Sequence, residues 1–514
     1  TPRDAISSIQ PDLPIIVQTA STKAQQLHAA LDEFRSLFPA ALCYTRIVPV
    51  DEVVTLTLFY REDEPLRRLI LTADETAQLD RLWDELHYIS QDPLTLVDAF
   101  DQLWQYSTQD ADPSAFEPLR IPIYESAAKF KQRLLDTEPE HITAAVRLAT
   151  LAYRRPLSEA ESERLVALYQ SLRDDELDHE QAIRLLIARI LISPSFLYRA
   201  EESHVVSADS ANKDPAIPRG VSAHRISDWE LASRLSYFLW SSSPDEQLRQ
   251  LAAAGRLHEP ELIVSQARRM LKDRRVRRLA SEFACQWLHI YEFDSHDEKS
   301  EASFPEFASL RGDMYEEAIQ FFTDLFQRDG SVLEVLDADH TFLNDNLAHH
   351  YDISQVTGPE WRRVEGLKRQ GRGGVLAMAA ILSKQAGASR TSPILRGNWA
   401  SEVLLGERLP RPPADVPQLP DTLPAGLTER QLIEQHSSNP ACAKCHVRID
   451  PIGFSLEGFD AIGRRRQSGD GEVGFDTATT LADGTVIDGL DGLRTYLMTE
   501  RRDDFVRQFC RKLL

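Results

Sequence analysis

Cys442 and Cys445 stand three positions apart, and His446 follows directly. Two thiols at that spacing sit on one side of a helical turn and can add across the two vinyl groups of one porphyrin. The adjacent imidazole can then swing under the ring and give a nitrogen to iron. C-x-x-C-H is accordingly the attachment signature of c-type haem. The same residues admit other chemistry, as half of a zinc site or as a dithiol redox pair. Zinc asks for four ligands, typically from a second Cys/His pair at similar spacing, and no second C-x-x-C exists in the chain. A thioredoxin-like pair asks for a βαβ setting, which the flanks do not show. Spacing favours haem and leaves a structural or metal role open.

The elements that must position these residues read as helices almost throughout. Leu27, Leu31, Phe34, Leu37 and Phe38 recur at helical spacing, after a polar stretch 1–24 that reads as a linker or the tail of another domain. Val53 to Tyr60 is apolar and β-branched enough for a strand, but its surroundings favour a helix. Leu79, Leu82, Trp83, Leu86 and Ile89 mark a further amphipathic helix. His87 within it reads as a surface or core histidine rather than a ligand. Ser158 with Glu161, and Ser227 with Glu230, are capping boxes that each start a helix, and Ser243-Pro244-Asp245-Glu246 caps another. Residues 202–222 are polar and loop-like. Gly371 to Gly374 lacks the Lys-Ser/Thr of a phosphate-binding loop and reads as a turn. Leu409 to Pro417 reads as an extended polyproline strap.

Composition sets the outer bounds. At 514 residues the chain has room for three or four domains, and 42% hydrophobic residues suffice for packed cores. A net charge of −22 disfavours non-specific nucleic-acid binding, which needs a basic surface, and fits neutral or cationic partners. No apolar run reaches the length that spans a bilayer. Arg268, Arg269, Lys272, Arg274, Arg275, Arg277 and Arg278 stand out in so acidic a chain. They read as a solvated helix face, with a docking patch for an anionic partner as the alternative. Cys43, Cys285 and Cys510 read as buried thiols, with one disulfide among them as the alternative in an oxidising compartment. There is no G-x-S-x-G and no H-E-x-x-H. Glu316, Glu317, Asp337 and Asp339 read as surface carboxylates.

The stretch from Cys442 to Arg464, with Ile449-Asp450-Pro451-Ile452-Gly453-Phe454 at its centre, closely resembles the haem segment of planctomycete-type multidomain proteins. Those proteins combine c-type cytochrome motifs with serial domains of unknown function. The resemblance extends over Phe38 to Thr45, the helical unit ending at Ser193 to Tyr198, and Ile226 to Trp240. It includes Thr341-Phe342-Leu343-Asn344 with His350-Tyr351, and Arg390 to Trp399. It implies a mainly α, multidomain helical protein with a C-terminal cytochrome c-like haem module. Its parts are an N-terminal helical module over 25–137, a small helical domain over 138–201, a central helical domain over 222–352, a haem-binding domain over 365–468 and a helical segment over 480–514. One covalent haem c would be tethered by Cys442 and Cys445 and ligated by His446.

Haem c is attached after export in bacteria, so the resemblance implies a periplasmic or cell-surface protein. Thr1-Pro2-Arg3-Asp4 is not a signal peptide, and Phe509 to Leu514 ends within a helical pattern. Both features are expected of a processed or truncated chain. The sixth iron position decides function, because methionine raises the potential, a second histidine lowers it and an open site permits small-ligand chemistry. His350 ranks first, Met378 second and an open site third, with His349 and His436 as rivals of His350. Met270, Met314 and Met498 read as core filler. Arg464, with Arg465 and Arg466, is a candidate partner for a haem propionate, a solvated face being the alternative. The leading expectation is an electron carrier with a redox partner protein. A haem redox enzyme with an open site, and a scaffold binding a cell-surface polysaccharide, are the alternatives.

Overall fold

The computed structural model describes residues 13–35, 63–110, 116–199, 201, 204–205, 224–409, 419–420, 426–438, 440–466 and 476–514. The chain divides into two units, one of residues 1–150 with 157–193, the other of 151–156 with 194–514. Both are mainly helical, as the periodicity demands. Val53 to Tyr60, Cys43 and the core of the polyproline strap lie outside the described residues.

The first unit contains helices α1 (Leu13–Arg35), α2 (Glu64–Leu69), α3 (Ala73–Ser90), α4 (Asp92–Asp110), the main length of α5 (Glu117–Tyr153), α6 (Glu159–Asp174) and α7 (His179–Leu191). Residues 13–24, read from the sequence as linker, are helical from Leu13. Thr72 with Glu75, Ser158 with Glu161 and Asp178 with Gln181 form complete capping boxes, each satisfying two otherwise orphaned backbone donors. Phe100, Leu103 and Phe116 make a small core at α4–α5. His87 hydrogen-bonds through Nδ1 to the Asp92 carboxylate at 2.8 Å, a structural contact at the α3–α4 junction.

The second unit starts with the short helix α8 (Pro194–Leu197) and a two-residue antiparallel pair, β1 (His204–Val205) with β2 (His224–Arg225). Helices α9 (Asp228–Trp240), α10 (Glu246–Ala253) and α11 (Pro260–Leu271) follow around Trp240, Leu248, Leu257 and Met270. Three members of the basic cluster are paired inside the protein. Arg269 binds Asp245 at 2.8 Å, Arg275 binds Asp273 and lies 3.4 Å over the Trp240 ring, and Arg277 binds Glu316.

A wide helical turn over Ala280–Cys285 leads to helix α12 (Phe307–Gln327). Next come α13 (Glu334–Asp337), β3 (His340–Leu343), α14 (Asp345–His350) and β4 (Arg362–Glu365), with β3 and β4 antiparallel. Beyond the Gly371–Gly374 turn lie α15 (Ala379–Lys384), α16 (Pro393–Trp399), α17 (Glu429–Ser437) and α18 (Pro440–Phe454). A β5 (Ala478–Thr480)–β6 (Val486–Asp488) hairpin, α19 (Gly489–Thr499) and α20 (Arg502–Leu513) complete the unit. One apolar core runs through these stretches, α17 excepted. Phe321 and Phe322 from α12, Leu376, Trp399, Ile452, Leu456, Leu493 and Phe505 belong to the same buried cluster.

Glu317 is buried at 1% exposure, which corrects its reading as a surface carboxylate. The helical pattern of α12 is apolar on more than one side, so a single carboxylate between Glu316 and Ala318 gave no sign of facing inward. Thr341 donates to Glu317 at 2.6 Å, Tyr351 donates at 2.5 Å, and the Arg372 guanidinium lies 3.6 Å over the Tyr351 ring. Burial pushes the Glu317 carboxyl from 4.5 up to about 7. The folded state therefore keeps a proton between pH 4.5 and 7 that the unfolded state releases. The associated stability is fully present below about pH 4.5 and is lost as pH rises through about 7, about 3 kcal/mol at 1.36 kcal/mol per pKa unit. Urea unfolding at pH 5 and pH 8 should show this loss in the parent and a much flatter difference in Glu317→Gln.

Cys285 is fully buried, as expected, and burial pushes its thiol up to about 12. Cys510 is exposed, which corrects its reading as a buried thiol, because α20 buries Phe505, Gln508 and Phe509 and turns position 510 outward. With roughly one Cys285 in ten thousand present as thiolate at pH 8, iodoacetamide should label Cys510 quickly and leave Cys285 unmodified until the protein unfolds. Peptide mass mapping reads both sites.

Candidate haem site

Cys442, Cys445 and His446 all lie on α18. In an α-helix positions three apart lie on one face, about 4.5 Å apart along the axis, so both thiols point the same way. Both are half-buried and neither is in a disulfide. His446 directs Nδ1 to both carboxylate oxygens of Asp450, one turn on, at 2.9 Å each. Nε2 has no hydrogen-bond partner among the described residues. Asp450 is 4% exposed. Burial raises its carboxyl above the ordinary range, and the facing imidazole, with His436 nearby, acts in the opposite sense. His436 on α17 meets the His446 ring edge-on, with centroids 5.2 Å apart. α17 is fixed at its start by the Thr428–Gln431 capping box and by buried Leu432 and Ile433.

The donor set fits a covalent haem. It offers two aligned thiols and one imidazole whose far nitrogen is tied, which leaves the near nitrogen free for metal. The zinc alternative gains nothing, because no group of three or more His, Cys, Asp or Glu side chains among the described residues could hold a metal ion.

α16 fixes α18 in place. Ser392 caps α16 and Pro393 occupies its first turn. A side-chain carbon on Gly397 would sit 1.9 Å from the Ile449 carbonyl oxygen, and one on Gly453 would sit 1.9 Å from that of Pro393. The two backbones are therefore in direct contact at two points, which only glycine permits. Arg396, 1% exposed, donates to the carbonyls of Leu456 (2.9 Å), Phe459 (2.9 Å) and Asp460 (2.5 Å). It faces Glu457 at 3.4 Å, and Thr391 donates to the same carboxylate at 2.7 Å. Burial lowers the Arg396 guanidinium to about 10, still charged at neutral pH. Trp399 anchors the far end of α16 by donating from Nε1 to the Leu288 carbonyl at 3.0 Å. On the other side of α18, Arg448 pairs with Glu407, which also binds Arg501 at 2.6 Å.

The remaining sequence candidates are committed elsewhere. His350 is buried and donates Nε2 to the Ile462 carbonyl at 2.9 Å, and burial lowers it to about 4, so it is a neutral structural donor. Met378 is 2% exposed within the shared core and lines a small cavity beside Glu317, Tyr351 and Arg372. His349 is exposed. Arg464 is held by Asp460 at 2.8 Å and Glu306 at 2.7 Å, protein carboxylates in place of the propionate expected of it. Arg465 donates to the Gln370 carbonyl, and Arg466 faces Thr391 and Glu457. Two residues that shape this arrangement were not marked by the sequence. Asp450 could have been found from its i, i+4 spacing to His446; the inward direction of Arg396 left no local signal.

A cavity of about 410 Å³ in the second unit is remote in sequence from α18 and lined by Tyr153, Arg154, Tyr198, Arg199, Trp229 and Arg234 among others. Much of its positive charge is used internally. Arg154 donates to the Ser195, Phe196 and Tyr198 carbonyls, and Arg234 forks onto Glu201.

Three family models match in series. Residues 143–201 match PSD5, protein of unknown function (DUF1595). Residues 226–353 match PSD4, protein of unknown function (DUF1592). Residues 372–469, which hold both the α16 signature and the C-x-x-C-H motif, match PSCyt3, protein of unknown function (DUF1588). The chain belongs to the planctomycete-type family of serial c-type cytochrome domains. Membership in a cytochrome c-like family agrees with the thiol pair and imidazole on α18. No curated protein and no solved structure matches this planctomycete-type chain. No described helix is long and apolar enough to cross a membrane.

Proposed function

We propose that this chain is an exported c-type cytochrome that carries one covalent haem and works in electron transfer. The observation that carries the reading is the arrangement on α18. Cys442 and Cys445 share one helix face, and His446 has Nδ1 held by Asp450 and Nε2 without a hydrogen-bond partner among the described residues. When bound, haem c supplies one-electron chemistry. The chain's own residues tether it through two sulfurs, present one imidazole nitrogen and hold that ring at a fixed angle. Attachment of haem c after export places the protein in the periplasm or at the cell surface, facing a redox partner protein.

The test is an alkaline pyridine haemochrome spectrum of protein produced with the c-type maturation machinery. The expected result is a c-type band at one haem per chain. Free thiols and no haem would sink the reading.

A second reading, a haem redox enzyme with an open sixth position, draws on the commitments of His350 to Ile462 and of Met378 to the core. Rapid reaction of the ferric protein with peroxide favours it; inert six-coordinate spectra favour the carrier.

A further inference from the structure

We infer that Asp450 is a potential-setting residue, a buried carboxylate that would make His446 a more electron-rich iron ligand and bias the site toward the oxidised state. The inference rests on the haem reading above and goes one step beyond it.

The geometry is specific. Both Asp450 oxygens lie 2.9 Å from His446 Nδ1, and the carboxylate is 4% exposed. Position 450 lies one helical turn beyond 446, so the helix itself supplies the alignment. Pro451 follows directly and cannot donate a backbone hydrogen bond to the carbonyl four residues back. Water is largely excluded, so the carboxylate acts on the imidazole through a medium of low dielectric. The α16 crossing clamps the helix beside this pair, because the Gly397 backbone abuts Ile449, the neighbour of Asp450.

A metal-bound histidine that donates its far N–H to a carboxylate becomes more basic and binds the metal more strongly. The oxidised iron carries one more positive charge than the reduced iron. A stronger donor, with a negative charge behind it, favours the oxidised form. Reduction adds one electron, drawn in the experiment from an electrode through a mediator, and makes or breaks no bond in the Asp450–His446 pair. Asp450 therefore acts through His446 and touches neither the iron nor an electron partner, which makes it a positioning and tuning residue.

The experiment is spectroelectrochemical titration of the full haem-loaded chain, as the parent, Asp450→Asn and Asp450→Glu, with haem content fixed beforehand by pyridine haemochrome. Asparagine keeps a hydrogen-bond acceptor of the same shape and removes the charge. Its midpoint should rise so that the reduced form is favoured at least about tenfold more, which is 59 mV for a one-electron couple. Asp450→Glu keeps the charge and should return most of that shift. Asp450→Ser, also neutral, makes the same comparison if the asparagine variant does not fold. Stoichiometric haem with neutral-variant midpoints within about threefold of the parent overturns the role of Asp450 and leaves the cytochrome reading standing. Absence of haem from the parent overturns both, and the haemochrome reports it before any potential is measured.

Discussion

Exchange of Cys442 and Cys445 for alanine is expected to leave a folded chain with no covalently attached haem. Both thiols are half-buried, unpaired and on one face of α18, and alanine is the best helix former. α18 does not depend on the two sulfurs for its position. Ile449, Ile452 and Phe454 are buried, and the helix is held by α16 and by the Arg448–Glu407 pair. The fold should lose less than about 2 kcal/mol, within the range of ordinary substitutions. Attachment should be all-or-none, because among the described residues the other two cysteines lie elsewhere, Cys285 buried in the core and Cys510 on α20. Haem staining on a denaturing gel reads the attachment, and intact mass gives its stoichiometry. Retained covalent haem in the double variant would falsify the assignment of these two cysteines.

Alanine at Gly397 should have the largest effect on stability. The added carbon would meet the Ile449 carbonyl oxygen at 1.9 Å, its carbon at 2.7 Å and the Gly453 nitrogen at 3.1 Å. All three are backbone atoms of the facing helix and cannot rotate away. The helices must separate, which also draws Arg396 from the carbonyls of Leu456, Phe459 and Asp460. Overpacking costs about 1–3 kcal/mol. Leaving buried carbonyls and a buried charge without partners costs about 1–3 kcal/mol more. A loss of about 3–5 kcal/mol is expected, read as the shift in urea midpoint at unchanged slope. Gly458, next to the same loop, has open space where a side chain would go. Gly458→Ala should be close to neutral, which separates a crowding effect from a general intolerance of alanine.

Read alone, the residues picked out the proposed haem ligands and the local structure around them. Cys442, Cys445 and His446 follow from spacing, and the helix starts at Ser158 and Ser227 follow from reciprocal side-chain and backbone hydrogen bonds three residues apart. Those interactions are local, so a short window contains both partners. The helical class follows for the same reason, since a 3.6-residue period appears within each segment.

Which buried faces meet emerges from packing between distant segments. Glu316 and Glu317 are adjacent in sequence, but one pairs with Arg277 at the surface and the other lies under Thr341 and Tyr351. Arg396 and Arg464 look equally ready to receive an anion. Arg396 turns inward to carbonyls sixty residues away, and Arg464 is met by Glu306 from a segment far upstream. His350 sits in a family-like motif that made it the first distal candidate, but packing brings the Ile462 carbonyl to its Nε2. In each case the partner lies far along the chain. Periodicity shows that a face is buried; which group lies opposite depends on how the close-packed helices cross, and here that is set by backbone contact at Gly397 and Gly453.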